Sequence, residues 1–211
     1  IAHDKNSRSA RARVKKNAVS NLNDAYYPTR QIIPFIETVH DRVTVEIMRG
    51  CTEGCRYCQA GMIDRPQRYR TPETVLRLAR EIVGATGYDE ISLLSLSSSD
   101  HPQLVTMMKL LQTEFEGKNV NLSLPSLRVD QQLQELPKVA KNIRKGGLTM
   151  APESGSERLR RVINKTITQH DLIEGARTAF TEGWRTIKFY TMIGLPTEND
   201  DDIRATANLL N

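Results

Sequence analysis

The stretch RGCTEGCRYC, residues 49–58, decides the fold and the chemistry expected of this chain. It contains all three cysteines of the 211-residue sequence, spaced C-x3-C-x2-C, and an aromatic residue, Tyr57, precedes the last of them. Thiolates are the preferred ligands of soft metal ions and of iron–sulfur clusters. Because Gly54 allows a tight backbone turn, we expect the three sulfurs to face one small cavity.

The number of cysteines narrows the chemistry further. An ordinary [4Fe–4S] cluster takes four protein thiolates, so three would leave one iron open to water or to a small molecule. An open metal position is typical of a chemical site rather than a structural one, as in zinc proteins. A disulfide framework is disfavoured because the cysteines are odd in number, few and close together. A zinc site would need a fourth ligand, and His40 and His101 do not have zinc-finger spacing.

The bulk composition suits a soluble globular protein with one core. Apolar residues make up 38% and charged residues 26% of the chain. No run approaches the roughly 18 apolar residues of a membrane span, and the N-terminus lacks the apolar region of a signal peptide. Reduced thiols are typical of the cytosol. We therefore expect a cytoplasmic location and no membrane contact.

The positive charge is concentrated at the N-terminus. Residues 1–30 hold seven Lys and Arg against two Asp, which accounts for the whole net charge of +5. We interpret residues 1–31 as a basic linker or the end of a preceding domain. The alternative is an arm that contacts nucleic acid, since such contacts use clustered basic residues.

Strands and helices alternate along the rest of the chain. Apolar, β-branched segments predict strands, and segments with helical periodicity separate them. Such alternation predicts right-handed parallel βαβ units, which bind ligands at the carboxyl ends of their strands. Strands are expected at residues 43–48, 90–96, 119–124, 148–151 and 186–193. Helices are expected from Thr71 to the region 84–87, and at about 101–115, 130–143, 157–163, 168–182 and 199–211.

The cysteine spacing and the residues after four of these strands resemble the radical S-adenosylmethionine (radical SAM) superfamily. The resemblance covers residues 32–211. It implies an α/β fold, a parallel partial (β/α)6 TIM-like barrel, with five of the six strands present and the chain ending before strand six. It also implies a [4Fe–4S] cluster on Cys51, Cys55 and Cys58, whose open iron is chelated by S-adenosylmethionine (SAM). An electron, from a flavodoxin- or ferredoxin-like donor, would then split SAM to a 5′-deoxyadenosyl radical that abstracts hydrogen from a substrate.

The resemblance assigns SAM contacts near the first two strand ends. The backbone of Tyr57 would meet the adenine edge, with its ring beside the cluster. After strand two, SSSD at residues 97–100 replaces a Gly-Gly-Glu motif that binds the SAM ammonium group in many members. The Asp100 carboxylate, or the oxygens of Ser97 and Ser98, would take over that role. Asp100 is equally suited to cap the following helix, because Gln103 lies three residues later.

Further contacts are implied after the next three strands. Ser126 and Arg128 follow strand three, and Arg128 would grip the SAM carboxylate; the alternative is a surface arginine. After strand four, Glu153 would accept hydrogen bonds from both ribose hydroxyls. Ser154 and Glu157 form a capping-box pattern. After strand five, Ile193 and Gly194 would form the adenine wall, although a simple turn also explains them.

The reaction is less defined than the cofactor. The motif APESGSERL, residues 151–159, most resembles uncharacterised radical SAM proteins that often carry an N-terminal cobalamin-binding domain. Methyl transfer with cobalamin in the full-length parent is therefore one expectation. A tRNA- or rRNA-modifying, methylthiotransferase-like enzyme is the alternative, with a possible RNA substrate for the basic arm. A non-catalytic iron–sulfur binding module is a third interpretation.

One physical property follows from the missing sixth strand. The outer edge of strand five would present unpaired backbone N–H and C=O groups, which can template another chain. We therefore expect this chain to self-associate through that edge.

Overall fold

The computed structural model describes residues 16–36, 38–123 and 147–210. Within these ranges the strands are β1 (Val43–Glu46), β2 (Met48–Arg49), β3 (Arg68–Tyr69), β4 (Glu90–Leu94), β5 (Asn121–Ser123), β6 (Leu148–Glu153) and β7 (Ile187–Thr191). The helices are α1 (Gln59–Ile63), α2 (Pro72–Thr86), α3 (Leu104–Phe115), α4 (Glu157–Val162), α5 (Gln169–Thr181) and α6 (Asp200–Leu210). The helix predicted at residues 130–143 lies outside the described residues.

The five predicted strands are present, and they pair in parallel. One sheet has the order β1-β4-β5, and β6 pairs with β7 in a second sheet. Helices separate the strands where the described ranges are continuous, so the α/β prediction with parallel strands is confirmed. In the described ranges no ladder joins the two sheets, and the row of strands is not closed.

Helix α2 shows how local sequence and burial together form the core. The Thr71 hydroxyl accepts a hydrogen bond from the Thr74 N–H at 3.3 Å, and Pro72 occupies the first turn. Gly87 ends the helix in the left-handed conformation, with φ 74°. The buried face of α2 joins the same apolar core as β1 and β4; the α2 members are Val75, Leu78, Ala79 and Ile82.

Strand β1 is shorter than predicted because its partner changes. The Ile47 N–H still donates to the Leu94 carbonyl at 3.0 Å, but the Ile47 carbonyl accepts from the Arg70 N–H at 2.8 Å. The chain then continues as β2, which pairs antiparallel with β3. This two-residue pair was not predicted, since its stability comes from the residues around it rather than from its own sequence.

Residues 19–27, here called the edge strap, contact β3 and the residues beside it through their first part and reach the free edge of β1 at Tyr27. Leu22 is fully buried, and its carbonyl accepts a hydrogen bond from the Arg70 guanidinium at 2.6 Å. The Tyr27 hydroxyl donates to the Thr44 carbonyl at 2.6 Å and accepts from the Glu46 N–H at 3.2 Å. A domain boundary at residue 31 stays a prediction, but the strap itself packs on the sheet. Residues 1–15 of the basic arm lie outside the described residues.

The last helix is fixed to the loop that follows β6. The Ser156 hydroxyl donates to the Asp202 carboxylate at 2.5 Å, and the Arg158 guanidinium also donates to it. These bonds, with Arg158 first, lower the pKa of Asp202 to about 2. Gly155 allows the contact, because a Cβ there would overlap the backbone of Ala205. No helix in the described ranges has the length and apolarity that a membrane span requires.

Candidate active site

The cysteine loop, residues 50–58, follows β2 at the carboxyl end of the first parallel strand. Gly50 has a φ of 90°, and a Cβ there would lie 2.7 Å from the Asp64 carbonyl oxygen, so only glycine fits. The three cysteines are free thiols of intermediate exposure. The Gly61 N–H donates to the Cys58 sulfur at 3.3 Å, a type of bond that tunes iron–sulfur clusters.

Glu153 is the residue that joins the strand ends. Its side chain is almost buried, and its Oε1 accepts from the Tyr57 hydroxyl at 2.7 Å and from the Lys165 ammonium at 2.9 Å. Its carbonyl accepts from the Met192 N–H at 2.7 Å. The structure therefore brings the cysteine loop and the ends of β6 and β7 together around one residue, Glu153.

The backbone of Glu153 is also unusual. It lies at a register shift in the β6–β7 ladder, and its φ is +67°. A left-handed conformation costs free energy for a residue with a side chain, and such strain is concentrated at functional sites. This observation favours a functional role for Glu153.

Burial and charge act on the ionisable groups of the cysteine loop. Burial raises the pKa of Cys51, and the carboxylates of Asp100 and Glu53 add to that effect. Burial also raises the pKa of Cys55, while the nearby Lys165 ammonium lowers it. The pKa of Tyr57 is raised by burial and then by its hydrogen bond to Glu153, so the phenol stays protonated as a donor.

The end of β4 carries the serines proposed for the SAM ammonium group. Ser98 is fully buried, and its hydroxyl lies 2.9 Å from the Ser95 hydroxyl. Ser97 is 4% exposed, and its hydroxyl has no hydrogen-bond partner among the described residues. Asp100 ends a short 3-10 helix that begins at Ser98. Its negative charge helps to raise the pKa of Cys51.

Two predicted helix caps are wrong. Asp100 does not cap α3, because that helix begins at Leu104 with Gln103 at its N-cap and no side-chain cap bond. Ser154 does not cap α4 either; Ser156 does, accepting from the Leu159 N–H at 3.3 Å.

Ser154 has a different role in its loop. Its side chain is buried and accepts from the Ser156 N–H at 3.1 Å, and its carbonyl accepts from the Arg160 guanidinium at 2.7 Å. Helix α4 starts only after the loop has passed Gly155, which packs against α6. The cap therefore falls two residues later than the sequence pattern indicates.

Of the remaining predicted SAM contacts, the structure describes the two that follow β7 but not the two predicted after strand three. Ile193 is 82% exposed, and Gly194 has a φ of 84° with open space around its α-carbon. The Gly194 N–H donates to the Glu198 carboxylate at 2.5 Å. Ser126 and Arg128 lie outside the described residues.

The donor set fits an iron–sulfur cluster, because its three thiols lie on one loop and thiolates are the ligands of such clusters. The described ranges contain no group of three or more His, Cys, Asp and Glu arranged to hold one ion, the cysteines included. A cluster differs because each thiolate binds its own iron. His101 cannot be a zinc ligand as it stands, because its Nδ1 accepts from the Gln103 N–H at 3.1 Å and its Nε2 therefore donates to the Arg70 carbonyl at 3.0 Å.

Two residues that contact the cysteine loop or Glu153 were missed in the sequence. Lys165 gave no local signal, because its partner Glu153 belongs to a different element. Asn164 gave a weak signal, since Asn just after a helix is typical of a left-handed residue, and its φ is 58°. Its side chain donates to the carbonyls of Glu53 and Gly54 at 3.2 and 3.0 Å.

Comparison with known proteins agrees with the fold. The family model of the radical SAM superfamily matches residues 45–210. This chain belongs to the radical SAM superfamily. Members of the superfamily use a [4Fe–4S] cluster and SAM, and its characterised members, methyltransferases and methylthiotransferases among them, are enzymes.

Relatives of this radical SAM chain include proteins of known and unknown activity. An uncharacterised protein of Methanocaldococcus jannaschii is 36% identical over 165 residues, covering 78% of this chain and 36% of the relative. A tRNA-2-methylthio-N(6)-dimethylallyladenosine synthase of Phocaeicola vulgatus is 29% identical, covering 69% of this chain and 34% of the enzyme. The chain thus spans about a third of the length of these two relatives.

Solved structures share the fold at low identity. The cobalamin-dependent radical enzyme OxsB matches with a TM-score of 0.65 at 17% identity, over 79% of this chain and 26% of OxsB. The methyltransferase TsrM from Kitasatospora setae also matches with a TM-score of 0.65, at 13% identity over 81% of this chain and 33% of TsrM. These matches confirm the radical SAM fold.

Proposed function

We propose that this chain is the catalytic core of a radical SAM enzyme, with Cys51, Cys55 and Cys58 as the protein ligands of its cluster. When bound, the cluster supplies the electron that splits SAM into methionine and a 5′-deoxyadenosyl radical. The substrate loses a hydrogen atom to that radical. A flavodoxin- or ferredoxin-like protein is the proposed electron donor, and the cytoplasm is the proposed location.

The chain's own residues hold SAM in this proposal. Glu153 accepts hydrogen bonds from the ribose hydroxyls, with Oε1 already fixed by Tyr57 and Lys165. The orphaned Ser97 hydroxyl, with Ser98 and Asp100, receives the ammonium group, because a buried polar atom without a partner gains most from a ligand. The exposed backbone at Ile193 and Gly194 offers a flat surface for adenine. Ser126 and Arg128 stay predictions for the carboxylate.

The observation that carries the proposal is the hydrogen bond from Tyr57 to Glu153. These residues lie 96 positions apart, at the ends of different strands, and their side chains meet at 2.7 Å. A structural iron–sulfur module would not need a strained carboxylate beside its cysteine loop. An enzyme that places a ribose against a cluster does need one.

The first experiment tests the cluster. Anaerobic reconstitution should give about four iron and four sulfide per chain, and replacing any one cysteine with Ala should abolish binding, since two thiolates hold a cluster poorly. Adding SAM should change the EPR spectrum of the reduced cluster. Stoichiometric zinc without iron uptake would contradict the proposal, and a spectrum unchanged by SAM would favour the non-catalytic binding module.

The second experiment tests the ribose contact. Glu153→Ala should weaken SAM binding by roughly 5- to 150-fold without removing the cluster, because unpaired buried hydroxyls cost about 1–3 kcal/mol. Alanine keeps the same left-handed backbone cost, so the change is confined to the side chain. The matched control is Glu157→Ala, four residues later on the exposed side of α4. Unchanged SAM affinity in Glu153→Ala, alongside lower thermal stability, would show a structural role.

A tRNA-modifying enzyme is the candidate that a specific observation favours among the alternatives. The Phocaeicola vulgatus relative acts, by its name, in tRNA methylthiolation, and it matches 69% of this chain. RNA substrates suit the basic N-terminal arm. Methyl transfer with cobalamin in the full-length parent is a further proposal, consistent with the shared fold of OxsB and TsrM. The yield of 5′-deoxyadenosine from SAM, measured with added tRNA and separately with added cobalamin, would separate the two candidates. A rise with tRNA would favour the tRNA-modifying enzyme, and a rise with cobalamin would favour the methyltransferase.

A further inference from the structure

The loop after α4, residues 163–165, contacts the cysteine loop through hydrogen bonds in both directions. The Asn164 side chain donates to the carbonyls of Glu53 and Gly54 at 3.2 and 3.0 Å. The Arg56 N–H donates back to the Ile163 carbonyl at 2.9 Å. We call residues 163–165 the clasp loop. It holds the two turns of backbone that separate the three cysteines.

The backbone of the clasp loop suits this task. Asn164 has a φ of 58°, a conformation that Asn adopts at lower cost than most residues with a side chain. The Lys165 N–H donates to the Arg160 carbonyl at 2.8 Å, which closes the end of α4. With the backbone fixed in this way, the amide of Asn164 faces the cysteine loop.

The clasp loop is itself anchored to the β6 end. Arg160 is 1% exposed, and its guanidinium donates to the carbonyls of Ser154 and Ile167, each at 2.7 Å. Lys165 pairs with Glu153 at 2.9 Å, and both side chains are almost buried. A rigid path of contacts therefore runs from the proposed ribose carboxylate to the backbone beside Cys55.

We propose that Asn164 is a positioning residue that sets the place of the cysteine loop relative to Glu153. This inference rests on the proposed function of the site. The loop contains Gly50 and Gly54, so it would lose much conformational freedom on ordering and needs fixed contacts from elsewhere. Asn164 provides two such contacts to the segment between Cys51 and Cys55. In the part of the chain that the structure describes, the Asn164 amide bonds to these two carbonyls and to no cysteine sulfur.

Two substitutions separate the amide from the backbone conformation. Asn164→Gly keeps the left-handed backbone and removes the donor. Asn164→Asp keeps the shape and the backbone tolerance but places a carboxylate against two carbonyl oxygens. The matched controls are Asn119→Gly and Asn119→Asp, because Asn119 has a φ of 53° and is exposed in a loop before β5.

The measurement is iron release to a chelator from anaerobically reconstituted protein, with the EPR spectrum of the reduced cluster recorded with and without SAM. Asn164→Gly should release iron roughly 5- to 30-fold faster than wild type, since two hydrogen bonds are lost. Asn164→Asp should be faster still, and both should alter the SAM-induced change in the EPR spectrum. The Asn119 variants should match wild type in both measurements.

The outcomes distinguish this inference from the proposed function. If the Asn164 variants release iron no faster than wild type, the role of Asn164 is overturned and the proposed function still stands. Equal effects at Asn164 and Asn119 would also overturn that role, because they would show a general loss of stability. A wild-type protein that takes up no cluster would overturn the proposed function and this inference with it.

Discussion

Strands β1 and β7, the first and last of the parallel strands, differ in what lies against their free edges. At β1 the edge strap covers the free edge, with Leu22 fully buried and the Tyr27 hydroxyl bonded to two backbone groups. At β7 the ladder pairs with β6 on one side, and in the described ranges no strand pairs with the other. Tyr190 in β7 is 59% exposed, and Ile193, two residues after the strand, is 82% exposed.

The difference shows that, in the described ranges, the residues that cover β1 come from a segment before the βα repeat. The match to the superfamily begins at residue 45, so the strap that covers β1 lies before it. An unpaired edge is a template for other chains, and proteins cover it with added segments. Protection of β7 would therefore also have to come from a segment beyond the repeat. Four predictions test this comparison.

The largest effect is expected where the strap enters the core. Leu22→Ala should lower the free energy of unfolding by about 2–5 kcal/mol, because it leaves a cavity in a fully buried position. The control Ile193→Ala, at an exposed position just after β7, should stay within about 0.5 kcal/mol of wild type. Urea unfolding measures both. Equal effects at the two positions would contradict the contrast between the edges.

The Tyr27 hydroxyl should contribute less. Tyr27→Phe removes the bonds to the Thr44 carbonyl and the Glu46 N–H, which should cost about 1–2 kcal/mol. Tyr26→Phe is the control, because Tyr26 is 89% exposed. If both variants unfold at the same urea concentration, Tyr27 does not protect the edge.

The unpaired edge of β7 should affect how strongly copies of the chain associate with one another. We expect the chain to self-associate through β7, and Tyr190→Lys should weaken this by about 1 kcal/mol, since like charges then face each other across the contact. Tyr26→Lys makes the same exchange on the covered edge and should leave association unchanged. Light scattering at increasing concentration compares them. A clean monomer at high concentration would mean that β7 is covered.

The smallest effect is a pH dependence of the free energy of unfolding, which comes from His101 beside the strap. Burial lowers the pKa of His101, whose ring bonds to the Arg70 carbonyl, and Arg70 in turn bonds to Leu22. The unfolded state then binds more protons below the ordinary pKa of 6.5, so stability is full above that pH and falls as the pH falls.

The loss from His101 should be at most about 1 kcal/mol between pH 7 and 5.5. Urea unfolding across this pH range measures it. The chain has four histidines, and replacing the other three with Gln should leave the dependence in place. If the pH dependence disappears in that variant, it comes from the other three histidines and not from His101.

The sequence was sufficient where the signals are local. Alternation in Val43–Glu46 predicted β1, and Thr71, Pro72 and Gly87 predicted the bounds of α2 because each acts on its own backbone. Distant contacts decided the rest. The cap of α4 moved from Ser154 to Ser156 because Gly155 packs on α6, and the strap docks because Leu22 fills a site that only the folded core creates.

The candidate site also contains residues that the sequence identified and residues that only the folded structure shows. The spacing of the cysteines identified the loop, and the resemblance placed Glu153 beside it. Lys165 and Asn164 were not found, because no pattern near them marks a contact with a residue far back in the chain. The roles in SAM binding remain predictions for the experiments above.

The clasp between Asn164 and Gly54 has a consequence for the order of events during synthesis. Asn164 lies 110 residues after Gly54, and translation at about 5–20 residues per second takes about 5–20 s to cover that distance. The thiols therefore leave the ribosome well before the loop that holds them. During that interval they are open to oxidation. Delivery of iron and sulfide is best timed after residue 165 has left the ribosome, when the clasp loop has closed on the cysteines.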